Sequence, residues 1–372
     1  MKYLLNLWLL LAAFIITPCS AGPLPPVQTV FVILMENHNW SSLKGSADAP
    51  FLNTVLLPRA SYCSQYYNPP GLHPSEPNYL WLEAGTNFGI LNDNDPASNH
   101  QRSTNHLVTL LKNAGITWKT YQEDINGLYV PLTATNKYVA RHNPFVFFDD
   151  VTGTNNPYYP YALAHIRPYP ELAGDLTNHT VARYNFITPN LCNDTHDSCA
   201  PLYNPVRQGD DWLAAEVPKI LNSAAYRDGG ALFITWDEGI SGDGPIGMIV
   251  LSPLARGAGY SNNIHYTHSS FLRTLQDIFG VKPYLGAANT ANDLSDLFVP
   301  FRFGKIHWTP EGTAQLTATG LVPNRTNILQ VSADLVDWTP VSTNLATTNT
   351  IFLTDDSATN ATQRFYRLVL PP

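Results

Sequence analysis

A chain of 372 residues, 44% of them hydrophobic and 12% aromatic, can bury a large core, which excludes intrinsic disorder. Only 13% of residues are charged and the formal net charge is −8, which argues against a basic nucleic-acid surface, so no nucleic-acid partner is expected. With 23 Gly and 4 Cys the chain is neither collagen-like nor a small disulfide scaffold.

At the N-terminus, Lys2 precedes a nearly unbroken apolar run of 15 residues, Tyr3 to Thr17. That run is short against the roughly 20 residues a bilayer-spanning helix needs. Followed by Cys19-Ser20-Ala21, it predicts a signal peptide over residues 1–21 and a mature chain starting at Gly22. The protein is therefore expected to be secreted, periplasmic or at the cell surface, with no stable membrane span. Export permits disulfides. Of the remaining cysteines, Cys192 and Cys199 enclose a short loop and are the favoured pair, which leaves Cys63 as a buried thiol.

Val27 to Met35 is a continuous apolar run, the pattern of a strand covered on both faces. His106 to Gly115 reads as a helix stopped by glycine, followed by a strand over Ile116 to Tyr121. Tyr184 to Thr188 is a further strand. Asp211 is expected to cap a helix running toward Leu221, after which Gly229-Gly230 lead into a strand over Ala231 to Trp236. Ile246 to Leu251 is another apolar strand, and Thr267 or His268 opens a helix that Gly280 ends. Alternating helices and strands predict an α/β fold, a parallel or mixed central sheet with helices on both faces. The chain changes character near residue 304. Beyond it, Thr-rich alternating runs such as Thr350 to Leu353 predict a small all-β module over about 309–372, leaving 22–304 as the main domain.

The polar clusters follow the strands. The first strand delivers Glu36-Asn37-His38; later ones deliver Glu123-Asp124, Asn193-Asp194-Thr195-His196-Asp197 and Asp237-Glu238. Ligands in open α/β sheets bind beyond the carboxyl ends of the strands, and acids and amides gathered there suit a hard or borderline cation. A second cluster is His73-Pro74-Ser75-Glu76-Pro77-Asn78-Tyr79. The prolines around Ser75 fix the backbone and are expected to exclude a continuing helix. On that pattern alone Ser75 reads as part of a rigid turn; the other reading is a held serine nucleophile activated by a metal. No G-x-S-x-G elbow occurs, which argues against an ordinary α/β-hydrolase. His73 either lines the site or anchors the turn, and His268 either caps its helix or contacts the site loops.

Seven blocks then occur in order: MENHNW (35–40), HPSEPNY (73–79), TYQED (120–124), RHNPFVFFDDV (141–151), FITPNLCNDTHD (186–197), LFITWDEG (232–239) and YTHSSFLRTLQDIFG (266–280). Over about residues 27–300 the chain resembles the bacterial and fungal acid phosphatase and non-specific phospholipase C family of the alkaline-phosphatase-like superfamily. The resemblance implies an α/β sandwich with a mostly parallel sheet that hydrolyses phosphate esters through a phosphoserine intermediate. It implies one divalent metal ion held by Glu36, Asn37, Asp237 and Glu238, with Ser75 as nucleophile. It implies that His142 and His196 stabilise the phosphoryl group and protonate the leaving group. His38, His73, Asp194 and Asp197 then fall in the surrounding or substrate-facing set. The tail, with SADLVDW (332–338) and RFYRLV (364–369), is similar to small β-domains appended to secreted bacterial enzymes.

The expected activity is that of a secreted, metal-dependent acid phosphatase acting on phosphomonoesters. The alternatives are a phospholipase C cleaving phospholipid phosphodiesters and a catalytically dead surface-binding protein. The expected partners are accordingly a small phosphate ester or a phospholipid.

Overall fold

In a computed structural model, residues 24–240, 242–360 and 363–369 are described. The signal-peptide expectation, residues 1–21, lies outside the described residues.

Eight strands form the main sheet: β1 (Val30–Met35), β2 (Ser61–Cys63), β3 (Trp118–Gln122), β4 (Ile166–Pro168), β5 (Tyr184–Thr188), β6 (Ala231–Trp236), β7 (Met248–Leu251) and β8 (Tyr260–Asn262). Their order is β4-β3-β5-β1-β6-β7-β2-β8. The neighbours from β4 to β6 are parallel, while β7 runs antiparallel to both β6 and β2. All six side chains of β1 are buried, and so are all six of β6, because helices cover both faces of the sheet. The expected central sheet is therefore present, mixed through β7.

Among the helices that surround or support the ends of these strands are α1 (Ser75–Ala84), α2 (Leu107–Asn113), α3 (Pro205–Leu221) and α4 (His268–Phe279). α1 corrects the sequence expectation. Helix begins at Ser75 itself, with Pro77 in its first turn, where a missing N–H costs no intrahelical bond. α3 is a second correction. It starts at Pro205, capped by the Asn204 side chain accepting from the Arg207 N–H, and Asp211 sits inside it paired with Arg207 at 2.7 Å. α4 is capped by Thr267, as one of the two sequence alternatives had it, and its C-terminal Gly280 takes a left-handed conformation, φ +67°.

The C-terminal part builds two small antiparallel sheets. Ala314–Thr319 pairs with Thr350–Asp355, Arg302–Phe303 and His307–Trp308; Arg325–Ser332 pairs with Thr339–Ala346 and Phe365–Val369. Between them lies a separate apolar core that includes Leu316, Leu329, Ile351 and Leu353. Val322 packs with the large core, and Arg325 donates to the Asp228 carbonyl at 2.8 Å, tying the two parts together.

Behind the serine-bearing helix, fully buried His106 lies between Glu83 of α1 (3.1 Å) and Asp150 (2.9 Å) and stacks on Phe148. Burial disfavours the imidazolium, but hydrogen bonds to Asp150 and Glu83 outweigh it and hold the His106 pKa above its ordinary 6.5. A histidine pKa raised on folding stabilises fully below the unfolded value and stops doing so as pH rises through the folded value. Replacing His106 with Gln is expected to cost about 3 kcal/mol below pH ~6.5, because two carboxylates lose their cation, and less as the pH rises further. Denaturant unfolding of both proteins across pH checks the sign and the size.

Candidate active site

Parallel pairing sets Met35 beside Trp236, so the next residues, Glu36 and Asp237, leave neighbouring strands side by side. Asn37 turns the chain with φ +45°, and its N–H donates to Asp237 Oδ1 at 3.0 Å. Two loops brace this junction. The Glu36 N–H donates to the Asp194 carbonyl at 2.7 Å, and Thr195 Oγ1 donates to the Glu36 carbonyl at 2.6 Å. From α4, His268 Nε2 lies 2.6 Å from the Asp237 carbonyl. Because a carbonyl only accepts, Nε2 carries the proton, and Nδ1 accepts from the Tyr66 hydroxyl at 2.9 Å. Burial pushes the His268 pKa down to about 4, in keeping with this neutral ring.

Residues i, i+3 and i+4 of one helix share a face. On α1 these are Ser75, Asn78 and Tyr79, and all three face the acidic junction. Ser75 Oγ donates to Glu36 Oε2 at 3.0 Å, Tyr79 Oη to Glu36 Oε1 at 2.6 Å and Asn78 Nδ2 to Glu238 Oε2 at 3.0 Å. Ser75 is the first residue of a ten-residue helix, so the positive end of the helix dipole points where an anionic group on its hydroxyl would sit.

His142 lies parallel to the Tyr79 ring, with centroids 5.2 Å apart. Its Nε2 is 3.2 Å from Glu36 Oε1 without hydrogen-bond alignment, and its Nδ1 is 3.4 Å from Asp194 Oδ2. Burial, then the charges of Arg141 and His196, hold the His142 pKa well below the usual range. His196 sits 6.0 Å from His142 between ring centroids; its N–H donates to Asp194 Oδ1 at 2.8 Å and its Nδ1 is 2.9 Å from Asp197 Oδ1. His38 Nδ1 reaches the Glu36 carbonyl at 3.2 Å, and burial lowers its pKa. His73 Nδ1 lies 2.6 Å from Glu238 Oε2 and its Nε2 3.4 Å from Asp243 Oδ1, so this residue lines the site.

The loop carrying Asp194, His196 and Asp197 is fastened by the Cys192–Cys199 disulfide, the pair the spacing favoured, while Cys63 is free and buried. α3 presses against the same loop. A Cβ on Gly209 would come within 2.2 Å of Thr195 Cγ2, so only glycine fits there. Glu123, expected among the polar groups at the strand ends, braces this loop from outside. It accepts from the Asn190 N–H, Asn193 Nδ2 and Trp212 Nε1, each at 2.8 Å.

Glu36, Asp194 and Asp237 are fully buried, Glu238 nearly so, and none of the four has a Lys or Arg ion-pair partner among the described residues. All four pKa values are raised: Asp237 to about 6 through burial; Glu238 to about 9 through burial and then the Asp237 charge; Glu36 and Asp194 well above the carboxylate range, through burial first and repulsion from neighbouring carboxylates as well. Among the described residues, Asn37 Oδ1, Asp194 Oδ2 and Asp237 Oδ2 are buried without a hydrogen-bond partner. Among the described residues no three His, Cys, Asp or Glu side chains stand together in a metal-holding arrangement. Both Glu36 oxygens are engaged, by Ser75 and Tyr79, and Glu238 Oε2 by Asn78 and His73. Unpartnered buried oxygens within a crowd of uncompensated carboxyls nevertheless fit a hard divalent cation, which would relieve the desolvation and the repulsion together.

A profile of the Phosphoesterase family matches residues 46–282. The chain belongs to the Phosphoesterase family. That membership makes it a hydrolase acting on phosphoric esters. Among curated relatives of this phosphoesterase, a phosphatidylinositol-3-phosphatase of Mycobacterium tuberculosis is 29% identical over 280 residues, 75% of this chain and 85% of that protein. An acid phosphatase of Aspergillus niger is 30% identical over 226 residues, 58% of this chain and 50% of the relative, and a phosphate-repressible acid phosphatase of Penicillium chrysogenum is 29% identical over 247 residues, 63% and 56%. The chain thus spans about half the length of the fungal relatives. Structures to which it is similar include a protein in the alkaline phosphatase superfamily from Vibrio parahaemolyticus (10% identity, TM-score 0.47, 87% of this chain and 85% of that one). Another is a phosphonate monoester hydrolase from Silicibacter pomeroyi (10%, 0.49, 90% and 90%). At these scores nothing about the reaction is carried over.

The phosphoesterase fold brings every candidate from the sequence to one end of the sheet: Glu36, Asn37, His38, His73, Ser75, His142, Asp194, His196, Asp197, Asp237 and Glu238. Sequence reasoning missed Asn78 and Tyr79, which become visible once HPSEPNY is treated as the start of a helix. Of the two readings of His268, the cap does not hold. Thr267 supplies the cap, and the His268 side chain holds the Asp237 backbone instead.

Proposed function

We propose that this phosphoesterase is an exported, divalent-metal-dependent phosphatase that hydrolyses phosphomonoesters through a phosphoserine on Ser75. The observation that carries this reading is Ser75 Oγ, at a helix N-terminus and 3.0 Å from Glu36 within a buried set of uncompensated carboxyls. A divalent cation held by Glu36, Asn37, Asp237 and Glu238 would supply the positive charge that acidifies the serine hydroxyl and neutralises phosphate oxygens. The residues do the rest. Ser75 gives up its hydroxyl proton to water and Oγ attacks phosphorus, an Oγ–P bond forms as the ester P–O bond breaks, and water later hydrolyses the phosphoserine to free phosphate. Asn78 and Tyr79 hold Glu238 and Glu36 in place. The Nε2 of His142, which has no hydrogen-bond partner among the described residues, meets a phosphoryl oxygen. His196 is partly exposed and oriented by Asp197 at its Nδ1, which leaves Nε2 to protonate the departing alkoxide.

His196→Ala is therefore expected to slow hydrolysis of alkyl phosphates by about 10²-fold while changing p-nitrophenyl phosphate little, since a good leaving group needs no proton. Plotting kcat against leaving-group pKa for both enzymes shows whether the slope steepens as expected.

The reading as a whole is tested by turnover of p-nitrophenyl phosphate and phosphatidylcholine, with and without chelator. Monoester turnover that chelation abolishes and a divalent cation restores is the expected result. Preference for phosphatidylcholine would favour the phospholipase C alternative, and no turnover of either substrate would favour a surface-binding protein. The name of the Mycobacterium tuberculosis relative gives a phosphoinositide, so a phosphomonoester on a lipid headgroup belongs in the same substrate panel.

A further inference from the structure

One cation at this site has hydrogen-bonding capacity that the protein does not use. Arg141 precedes His142 in the short helical turn Ala140–His142, with its side chain 25% exposed. Its Nε lies 3.5 Å from Asp93 Oδ2, and among the described residues no hydrogen bond or other ion pair engages the guanidinium. Three other arginines are held more tightly: Arg167 by Glu171 at 2.8 Å, Arg207 by Asp211 at 2.7 Å and Arg273 by Asp277 at 2.8 Å.

Arg141 adjoins His142, whose Nε2 lies 3.2 Å from Glu36 Oε1, and the Arg141 charge helps to hold the His142 pKa down. Its counterion Asp93 uses the other oxygen, Oδ1, to accept the Glu76 N–H at 3.0 Å at the start of α1. The guanidinium therefore stands beside the N-terminus of the serine-bearing helix, with both terminal nitrogens free.

We propose that Arg141 is the specificity-determining residue of this site. Its Nη1 and Nη2 receive two non-bridging oxygens of the phosphoryl group, so the enzyme favours dianionic monoesters over monoanionic diesters. Guanidinium matches a pair of phosphate oxygens in a planar fork that a point charge cannot reproduce. A monoester offers three non-bridging oxygens, enough for the fork and one more contact; a diester offers two and carries one charge less. This inference rests on Ser75 being the seat of the phosphoryl group.

The test uses the full chain with Arg141→Gln, Arg141→Lys and Asp93→Asn. Inorganic phosphate binding is measured by calorimetry, and kcat and KM are measured on p-nitrophenyl phosphate and bis(p-nitrophenyl) phosphate. Arg141→Gln should weaken phosphate binding and raise the monoester KM by about tenfold or more, while diester kcat/KM, with one charge less facing the guanidinium, should fall by a clearly smaller factor. Arg141→Lys should recover part of the loss. Asp93→Asn keeps an acceptor for the Glu76 N–H but removes the competing charge, so phosphate should bind more tightly. Unchanged phosphate binding in Arg141→Gln, equal losses on monoester and diester, or weaker phosphate binding in Asp93→Asn would each overturn the assignment. A wild-type protein that binds phosphate through Arg141 yet hydrolyses neither ester would sink the proposed activity and the substrate preference, and leave only Arg141 as a phosphate-binding group standing.

Discussion

Replacing Ser75 with Ala is expected to lower turnover of p-nitrophenyl phosphate by about 10⁴-fold or more, because the attacking oxygen is gone. Folding should suffer little. Ser75 is buried and its hydroxyl donates to Glu36, so the stability change should be about 1 kcal/mol. The four groups proposed to hold the cation remain, so on that proposal bound divalent cation should be largely retained. If Ser75 were only a residue at a helix start, the variant would turn over at a near-normal rate. Rate, metal content and thermal midpoint of this one variant separate the two cases.

Asp237→Asn should have the second large effect and a distinctive pattern of stability. Asn keeps an acceptor for the Asn37 N–H but removes a charge from the crowded junction. Asp237 adds to the upward pKa shifts of Glu36 and Glu238, so in the presence of chelator the variant should be at least as stable as wild type. With divalent cation added, wild type should gain stability by mass action and the variant should gain much less. Turnover should fall by about 10³-fold. Thermal melts with and without cation, beside metal analysis, give the comparison. A variant destabilised in chelator but normal in metal content would contradict the assignment of Asp237 to the cation.

How much of the fold and the site is legible in the sequence depends on the range of the forces involved. β1 and β6 are readable because burial on both faces leaves an uninterrupted apolar run, and the acidic groups that follow them stand out against it. The Cys192–Cys199 pair is readable from spacing alone. The start of α1 is not, because proline's usual effect on helices does not apply to Pro77, which lies in the one turn where its missing N–H costs nothing. With the helix missed, the shared face of Ser75, Asn78 and Tyr79 is missed too. Asp211 reads as a cap because acids favour helix starts, whereas Asn204 caps the helix and Pro205 opens it, well before Asp211. The grip of His268 on the Asp237 carbonyl joins residues 31 apart in sequence, and no local pattern encodes it. Ordered sequence blocks bring all eleven candidate residues to one place, but which carboxylate each donor holds is a property of the packed structure.

The most direct test of the central claim is to trap the phosphoenzyme. The protein is mixed with p-nitrophenyl phosphate at a substoichiometric ratio, quenched in acid within the first turnover and digested for peptide mass spectrometry. The account predicts a transient phosphate on the peptide containing Ser75, which appears in step with the first p-nitrophenolate released and is absent from Ser75→Ala. Product release with no phosphopeptide at any quench time, or phosphate on another residue, would contradict it.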